Sequence, residues 1–339
     1  MRNVAGTELR KRWLVMALLA LLVLIEPAYS QTCLAAPDME PSLRSALEAA
    51  AQRYFEMSAR GDVAALKQNS IPSLASSFSG VEAAVKDNAP AFTGAHASAR
   101  PPFLLTADAP EPLPRAEFLC GVFGKSGQTS QSAVFVLNNL PPGKYAVVIL
   151  DVSGGKEGRT LTLILQQIGA DWKLAGYYAR SAEAAGHDGA WFAEQARDFK
   201  KKSQNHNAWL YFREAIALSS PVDFMSTLAS DRLYDETQSV QPADMPVNGN
   251  AVDLGAAGKT YRMTEIFPLA VGNDLDVVVK YSSGDISNTQ KTFQENMAVM
   301  KALVAKFPEL REAFAGVVAR AVPPSGQDYG SLLPMKEIK

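Results

Sequence analysis

The pattern of apolar positions opens with an unbroken run, Trp13 to Ile25, behind Arg2, Arg10, Lys11 and Arg12. A basic start followed by a short greasy stretch is the pattern of a secretory signal peptide. The run falls short of the roughly 20 residues that a bilayer core requires. Glu26 and Pro27 end it ahead of Ala28-Tyr29-Ser30, a small-x-small cleavage site. Residues 1–30 are therefore read as a leader cleaved near Ser30, leaving a periplasmic or secreted chain with no stable membrane span.

From Pro41 the pattern becomes helical, with Leu43, Ala46, Leu47, Ala50, Tyr54 and Met57 on one stripe. Gly61 stops that helix, Asp62 is a good N-cap for Val63–Gln68, and a third helix is expected within Ala75–Lys86. Pro101, Pro102, Pro110, Pro112 and Pro114 then exclude helix across a long connection. Beyond it the period changes to two. Strands are predicted at Glu117–Phe123, Ala133–Leu137, Tyr145–Leu150, Thr160–Ile168 and Trp172–Arg180, separated by Gly-, Pro- and Asn-containing turns. Short turns argue for one curled antiparallel meander whose apolar side, with Leu161, Leu163, Leu165, Trp172, Leu174 and Tyr178, is covered by the helices.

Asp188 can cap a helix from Ala190 to Lys201, and Asn205 or Asn207 a second from Ala208 to Leu218. Phe192, Ala196, Phe199, Ala208, Phe212 and Ala215 fall at the large and small packing positions of a tetratricopeptide helix pair. A lone pair of this kind cannot bury its faces alone, so it is expected to pack on a flanking domain or a partner. Past Val240 a polar stretch through Gly258 reads as loop. Strands at Thr260–Leu269 and Asp274–Tyr281 follow. Next comes a helix opened by Ser287-Asn288-Thr289-Gln290 and striped by Phe293, Met297, Met300, Val304 and Phe307, and then a strand within Phe314–Val322. The expected organisation is α+β: a cone-like domain over 42–180, a helical hairpin and linker over 188–237, and a smaller β-β-α-β domain over 247–339.

The order of elements in the first domain carries a family resemblance. A helix reading Tyr54-Phe55 with Gly61-Asp62 after it, and a closing hairpin from Leu165 to Tyr177 with the aromatic-lysine-aliphatic step Trp172-Lys173-Leu174, resemble the nuclear transport factor 2-like (SnoaL-like, cystatin-like) superfamily. The resemblance spans about residues 42–180 and rests on a helix end and a hairpin. It implies a cone whose mouth binds a small apolar molecule, with Tyr54, Phe118, Val122, Leu163, Trp172 and Tyr178 as pocket candidates. In some members it implies isomerase or cyclase chemistry by an acid or His inside the cone, for which Tyr54, His96, Asp108 and Glu117 are nearest.

Charge and cysteine content narrow the choice. Cleavage at Ser30 removes four basic and two acidic residues, moving the formal charge from −2 to −4, so no nucleic-acid footprint is expected. Cys33 and Cys120, the two cysteines, both follow the cleavage site. A disulfide between them, a buried Cys120 acting as a small hydrophobe, and a lipid on Cys33 are all open, although Ser30-Gln31-Thr32 does not resemble a lipobox. Cys33 itself is expected in a mobile N-terminus. Gly121-Val122-Phe123-Gly124-Lys125-Ser126 has two residues between its glycines where a phosphate loop needs four, and reads as a turn. His96, His187 and His206 are scattered, with no second ligand at metal spacing, so neither metal nor cofactor is expected. No nucleophile-elbow motif occurs. The resulting expectation is a non-catalytic extracytoplasmic binding or scaffold protein, holding a small apolar ligand or an envelope protein, with homodimerisation open. The alternative is a small-molecule isomerase or cyclase working in the cone.

Overall fold

The computed structural model describes residues 30–123, 128–247 and 249–339. The predicted leader up to Tyr29 and the Lys125-Ser126 pair lie outside them. No described helix is long and apolar enough to cross a membrane.

Helix α1 (Pro41–Ala59) starts with proline in its first turn, where the missing amide costs nothing, and buries Leu47, Ala50, Ala51, Tyr54 and Phe55. Gly61 turns the chain at φ +65°, a conformation that suits glycine. Asp62 then caps α2 (Val63–Gln68), its carboxylate accepting from the Ala65 amide at 3.0 Å. After α3 (Pro72–Ser76), helix α4 (Ser79–Phe92) runs past the expected end at Lys86 and includes Pro90.

Eight strands follow or precede these helices: β1 (Ser30–Ala35), β2 (His96–Ala99), β3 (Phe103–Asp108), β4 (Leu113–Cys120), β5 (Ala133–Leu140), β6 (Gly143–Ser153), β7 (Arg159–Ile168) and β8 (Asp171–Ser181). They do not form one meander. The first sheet has the order β1-β3-β6-β7-β8, with β2 also paired to β6. β4 and β5 leave it to make a second sheet with β11 (Met225–Thr227). The cause lies in β6, where Tyr145 to Leu150 are all buried. A strand apolar on both faces requires two covers. Ala146, Val148 and Leu150 pack with α1 and α4, while Tyr145, Val147 and Ile149 pack with Ala116, Phe118, Phe135 and Leu137 of the second sheet.

The proline-rich connection also holds β3, whose Phe103-Leu104-Leu105 run lies between Pro102 and Pro110. β1 pairs with it, Cys33 opposite Leu105. The N-terminal segment expected to be mobile is thus an edge strand. Cys33 forms a disulfide with Cys120 across a Cα separation of 4.9 Å, and Gln31 accepts from the Glu117 amide at 2.6 Å, so β1 is fastened to both sheets.

The two-residue strands β9 (Glu183–Ala184) and β10 (His187–Asp188) lead into the helical hairpin, α5 (Gly189–Lys201) and α6 (Asn205–Ser219), which is followed by α7 (Leu228–Gln238). Asp188 caps α5 as expected, at 2.8 Å from the Trp191 amide. α6 begins without a side-chain cap, since Asn207 lies inside it, fully buried, and donates to Gln204 Oε1 and to the Glu309 carbonyl. The third sheet runs β12 (Val252–Ala256), β13 (Lys259–Val271), β14 (Asp274–Ser282), β15 (Gly316–Val322), β16 (Tyr329–Pro334). β14 and β15 are parallel and are bridged by α8 (Thr289–Lys306) and the short α9 (Leu310–Ala313). Asn288, one residue beyond the expected Ser287, caps α8. Phe293 is 47% exposed and drops out of the predicted stripe, whereas Met300, Val304 and Phe307 are buried. Phe192, Phe199 and Phe212 of the hairpin share one core with these residues and with Val277, Val279 and Val317. The hairpin therefore packs on the C-terminal sheet.

Candidate functional site: a cavity where the sheets and helices meet

The six cone candidates are not brought together. Tyr54 and Leu163 are buried in the core between helices and first sheet, with Trp172 half-buried against it. Phe118 is fully buried on the opposite side of that sheet. Val122 lies in the turn after β4. Tyr178 is 38% exposed and meets Phe224 edge-on, with ring centroids 5.3 Å apart. The Tyr54 hydroxyl reaches the Asn69 and Trp172 carbonyls at 2.9 and 3.0 Å, latching α1 to the α2–α3 link and to β8. Burial raises its pKa above the ordinary tyrosine value. His96, Asp108 and Glu117 are exposed at the surface. None of these four polar groups forms an acid or base inside an open cone.

Concavity lies elsewhere. A cavity of about 290 Å³ sits where the first sheet, the loop before β5, the end of α6 and the start of α7 converge. Phe103 and Ile149 from the first sheet, with Met225 of β11, supply apolar wall, and Ser130, Gln131, Ser219 and Ser220 supply hydroxyls and an amide. Ile149 is on β6, so the same two-faced strand that needs a second cover also lines the part of its face facing this cavity.

Much of the polar wall is already committed. Ser132, also in the wall, accepts from the Thr129 amide and donates to the Gly121 carbonyl, each at 2.8 Å. Arg100 grips Asp151 with Nε and Nη2 at 2.7 to 3.1 Å, so the one charged residue of the wall has its counter-charge beside it. Thr227 and Ser230 form a reciprocal capping box at the start of α7. The amides of Leu228 and Ala229 in that first turn have no partner within the helix, and Ala229 lies in the wall. The cavity thus presents an apolar interior, neutral hydroxyls and a helix start, a combination suited to a small, largely apolar molecule carrying an acceptor oxygen.

Acid–base chemistry is concentrated at another place, an open cleft of about 530 Å³ between β8 and α6 lined by Arg180, Ser181, Arg213, Glu214 and Asp223. Burial pushes the Glu214 carboxyl up to about 7, with neighbouring Arg213 acting in the opposite direction. Arg180 donates to Asp223 at 2.7 Å and holds that carboxyl below its usual range. Arg213 is also engaged beside the cleft: it lies 4.6 Å over the Trp209 ring and donates to the Ile266 carbonyl at 2.8 Å. Two carboxyls of unlike acidity in one cleft can divide acid and base roles.

The histidines stay apart. His187 stacks on Trp191 at 3.7 Å, and His206 bridges Glu309 and Asp244 at 2.5 and 2.9 Å, tying α6 to the chain before α9. Among the described residues no group of three His, Cys, Asp or Glu side chains is placed to hold a metal ion.

Comparison of the chain with protein-family models, curated proteins and solved structures yields no match in any of the three.

Proposed function

We propose that this chain is an extracytoplasmic, non-catalytic binding protein whose ligand occupies the cavity beside Ile149 and Met225 rather than a cone. The carrying observation is that cavity: about 290 Å³, apolar inside, hydroxylated at its wall and with its arginine already neutralised by Asp151. A neutral, mainly apolar molecule with an oxygen directed at the first turn of α7 matches it. The predicted leader and the Cys33–Cys120 disulfide support an oxidising compartment, periplasmic or extracellular. The helices packed on one side of an antiparallel sheet support a nuclear transport factor 2-like reading of the first domain, from which the departure of β4 and β5 into a second sheet is a distinguishing feature.

Native mass spectrometry of the mature protein, purified gently from its host's envelope and compared with the denatured mass, tests this. An adduct on the order of a few hundred daltons, present in the parent and absent from a folded Met225→Trp variant, is expected. No adduct, or one retained by Met225→Trp, overturns the assignment to this cavity. The competing isomerase-type reading draws on Glu214 and Asp223 and places the chemistry in the cleft between β8 and α6.

A further inference from the structure

A second cavity, of about 540 Å³, lies between α6, the C-terminal half of α7 and β13. Its β13 wall is shaped by a bulge. The register of β13 against β14 shifts between Met263 and Glu265, and the successive residues Thr264, Glu265, Ile266 and Phe267 all line the cavity, where plain alternation would supply every second one.

Arg213 of α6 is fixed in this wall by two contacts. Its guanidinium lies 4.6 Å over the ring of Trp209, which is 2% exposed, and Nη1 donates to the Ile266 carbonyl at 2.8 Å. A stacked and anchored guanidinium has little freedom left to lose on binding. Among the described residues its other N–H groups have no hydrogen-bond partner, and none of them is sealed in by protein. Nor does a carboxylate of the chain pair with it. Glu265, the acid beside it in the wall, is bound by Lys280 at 2.8 Å, and Glu214 lines the cleft with β8 instead of this cavity. Burial lowers the Arg213 pKa, as expected of a cation that is incompletely hydrated and lacks a counter-charge. The cavity thus carries one uncompensated positive charge. Ile216, Phe267 and Tyr234 supply its apolar wall, and Gln238 and Gln241 are neutral.

We propose that this cavity binds a small organic acid, a single carboxylate on an aryl or branched alkyl body. The carboxylate meets the open N–H groups of Arg213 in the paired geometry that guanidinium and carboxylate share, and the body lies against Ile216, Phe267 and Tyr234. Glu265 selects for a single charge, since a dianion would bring its second charge up against that carboxylate. The site is separate from the cavity beside Ile149 and does not rest on it.

The test titrates the mature chain with phenylacetate and 4-methylpentanoate, each against its uncharged amide, and with phenyl phosphate as the dianion. Location is read from the indole N–H resonance of Trp209, the other tryptophans of the mature chain being Trp172 and Trp191. Each acid is expected to shift Trp209 saturably and to bind about tenfold more tightly than its amide, with phenyl phosphate weaker than phenylacetate. Arg213→Gln should bring the acids down to the affinity of the amides. Gln238→Glu, on an exposed position of α7 that leaves the fold intact, should weaken the acids about threefold and the amides not at all. No saturable shift of Trp209 by either acid up to about 20 mM, equal affinity for acid and amide, or acid binding indifferent to Gln238→Glu would each overturn the proposal.

Discussion

Reducing the Cys33–Cys120 bond removes a constraint on the unfolded chain that spans 87 residues. For a loop of that length the chain-entropy relation gives about 4.6 kcal/mol of stability at 25 °C. The native state gives little back, because β1 remains paired with β3 from Ser30 to Ala35 and Gln31 still holds the Glu117 amide. Urea unfolding of the mature protein, with and without a phosphine reductant equilibrated in the denaturant, measures the difference. At an m-value of about 2 kcal/mol/M the midpoint of the N-terminal unit should fall by about 2 M. Hydrogen exchange gives the local counterpart: amides of β1 and β3 should lose protection earlier than those of β7, which is held between β6 and β8. A midpoint change below about 0.5 M would refute the entropic argument, since it would mean that the unfolded chain keeps the β1 and β4 segments close together without the bond.

Two further perturbations separate structure from chemistry. Tyr54→Phe should lower the stability of the N-terminal unit by about 1 kcal/mol, because the hydroxyl shared between the half-buried Asn69 and Trp172 carbonyls is lost while the Asn69 carbonyl keeps its bond from the Leu174 amide; unchanged urea melts would show that the hydroxyl adds nothing to the latch. Glu214 gives a pH signature. Its folded carboxyl titrates at about 7, above its ordinary value, so the native state binds the extra proton and its ionisation costs stability as pH rises toward 7. Glu214→Gln should match the parent at about pH 4 and exceed it at about pH 8 by up to about 3 kcal/mol. A difference independent of pH would disprove the assignment.

Local chemistry made much of the fold legible. The Asp62 and Asp188 caps, the strands from β4 to β8 and the aromatic packing positions of the hairpin follow from residue type and spacing. What escaped was pairing. β3 is hidden among prolines that exclude helix but tolerate a strand between them, and the apolar run of β6 identifies a strand without saying that its two faces need different covers. α7 escaped because its capping box pairs Thr227 with Ser230 rather than with the usual glutamate or glutamine. The cavity had no sequence signal to offer: its serines, prolines and alanines come from separate segments and carry no chemistry until folding gathers them.

The two-sided burial of β6 also bears on how the chain finds its alignment. In most strands a slip by one residue would expose apolar groups and be rejected, but a slip of β6 would exchange Ala146, Val148 and Leu150 for Tyr145, Val147 and Ile149, one greasy set for another. Hydrophobicity alone does not choose between those alignments. Tyr145 does: its hydroxyl donates to the Pro141 carbonyl at 2.9 Å and accepts from Gln166 Nε2 at 3.1 Å, a polar clasp that only one alignment satisfies. A ring at the mouth of a proline turn thereby acts as the index mark for the strand from which both N-terminal cores are hung.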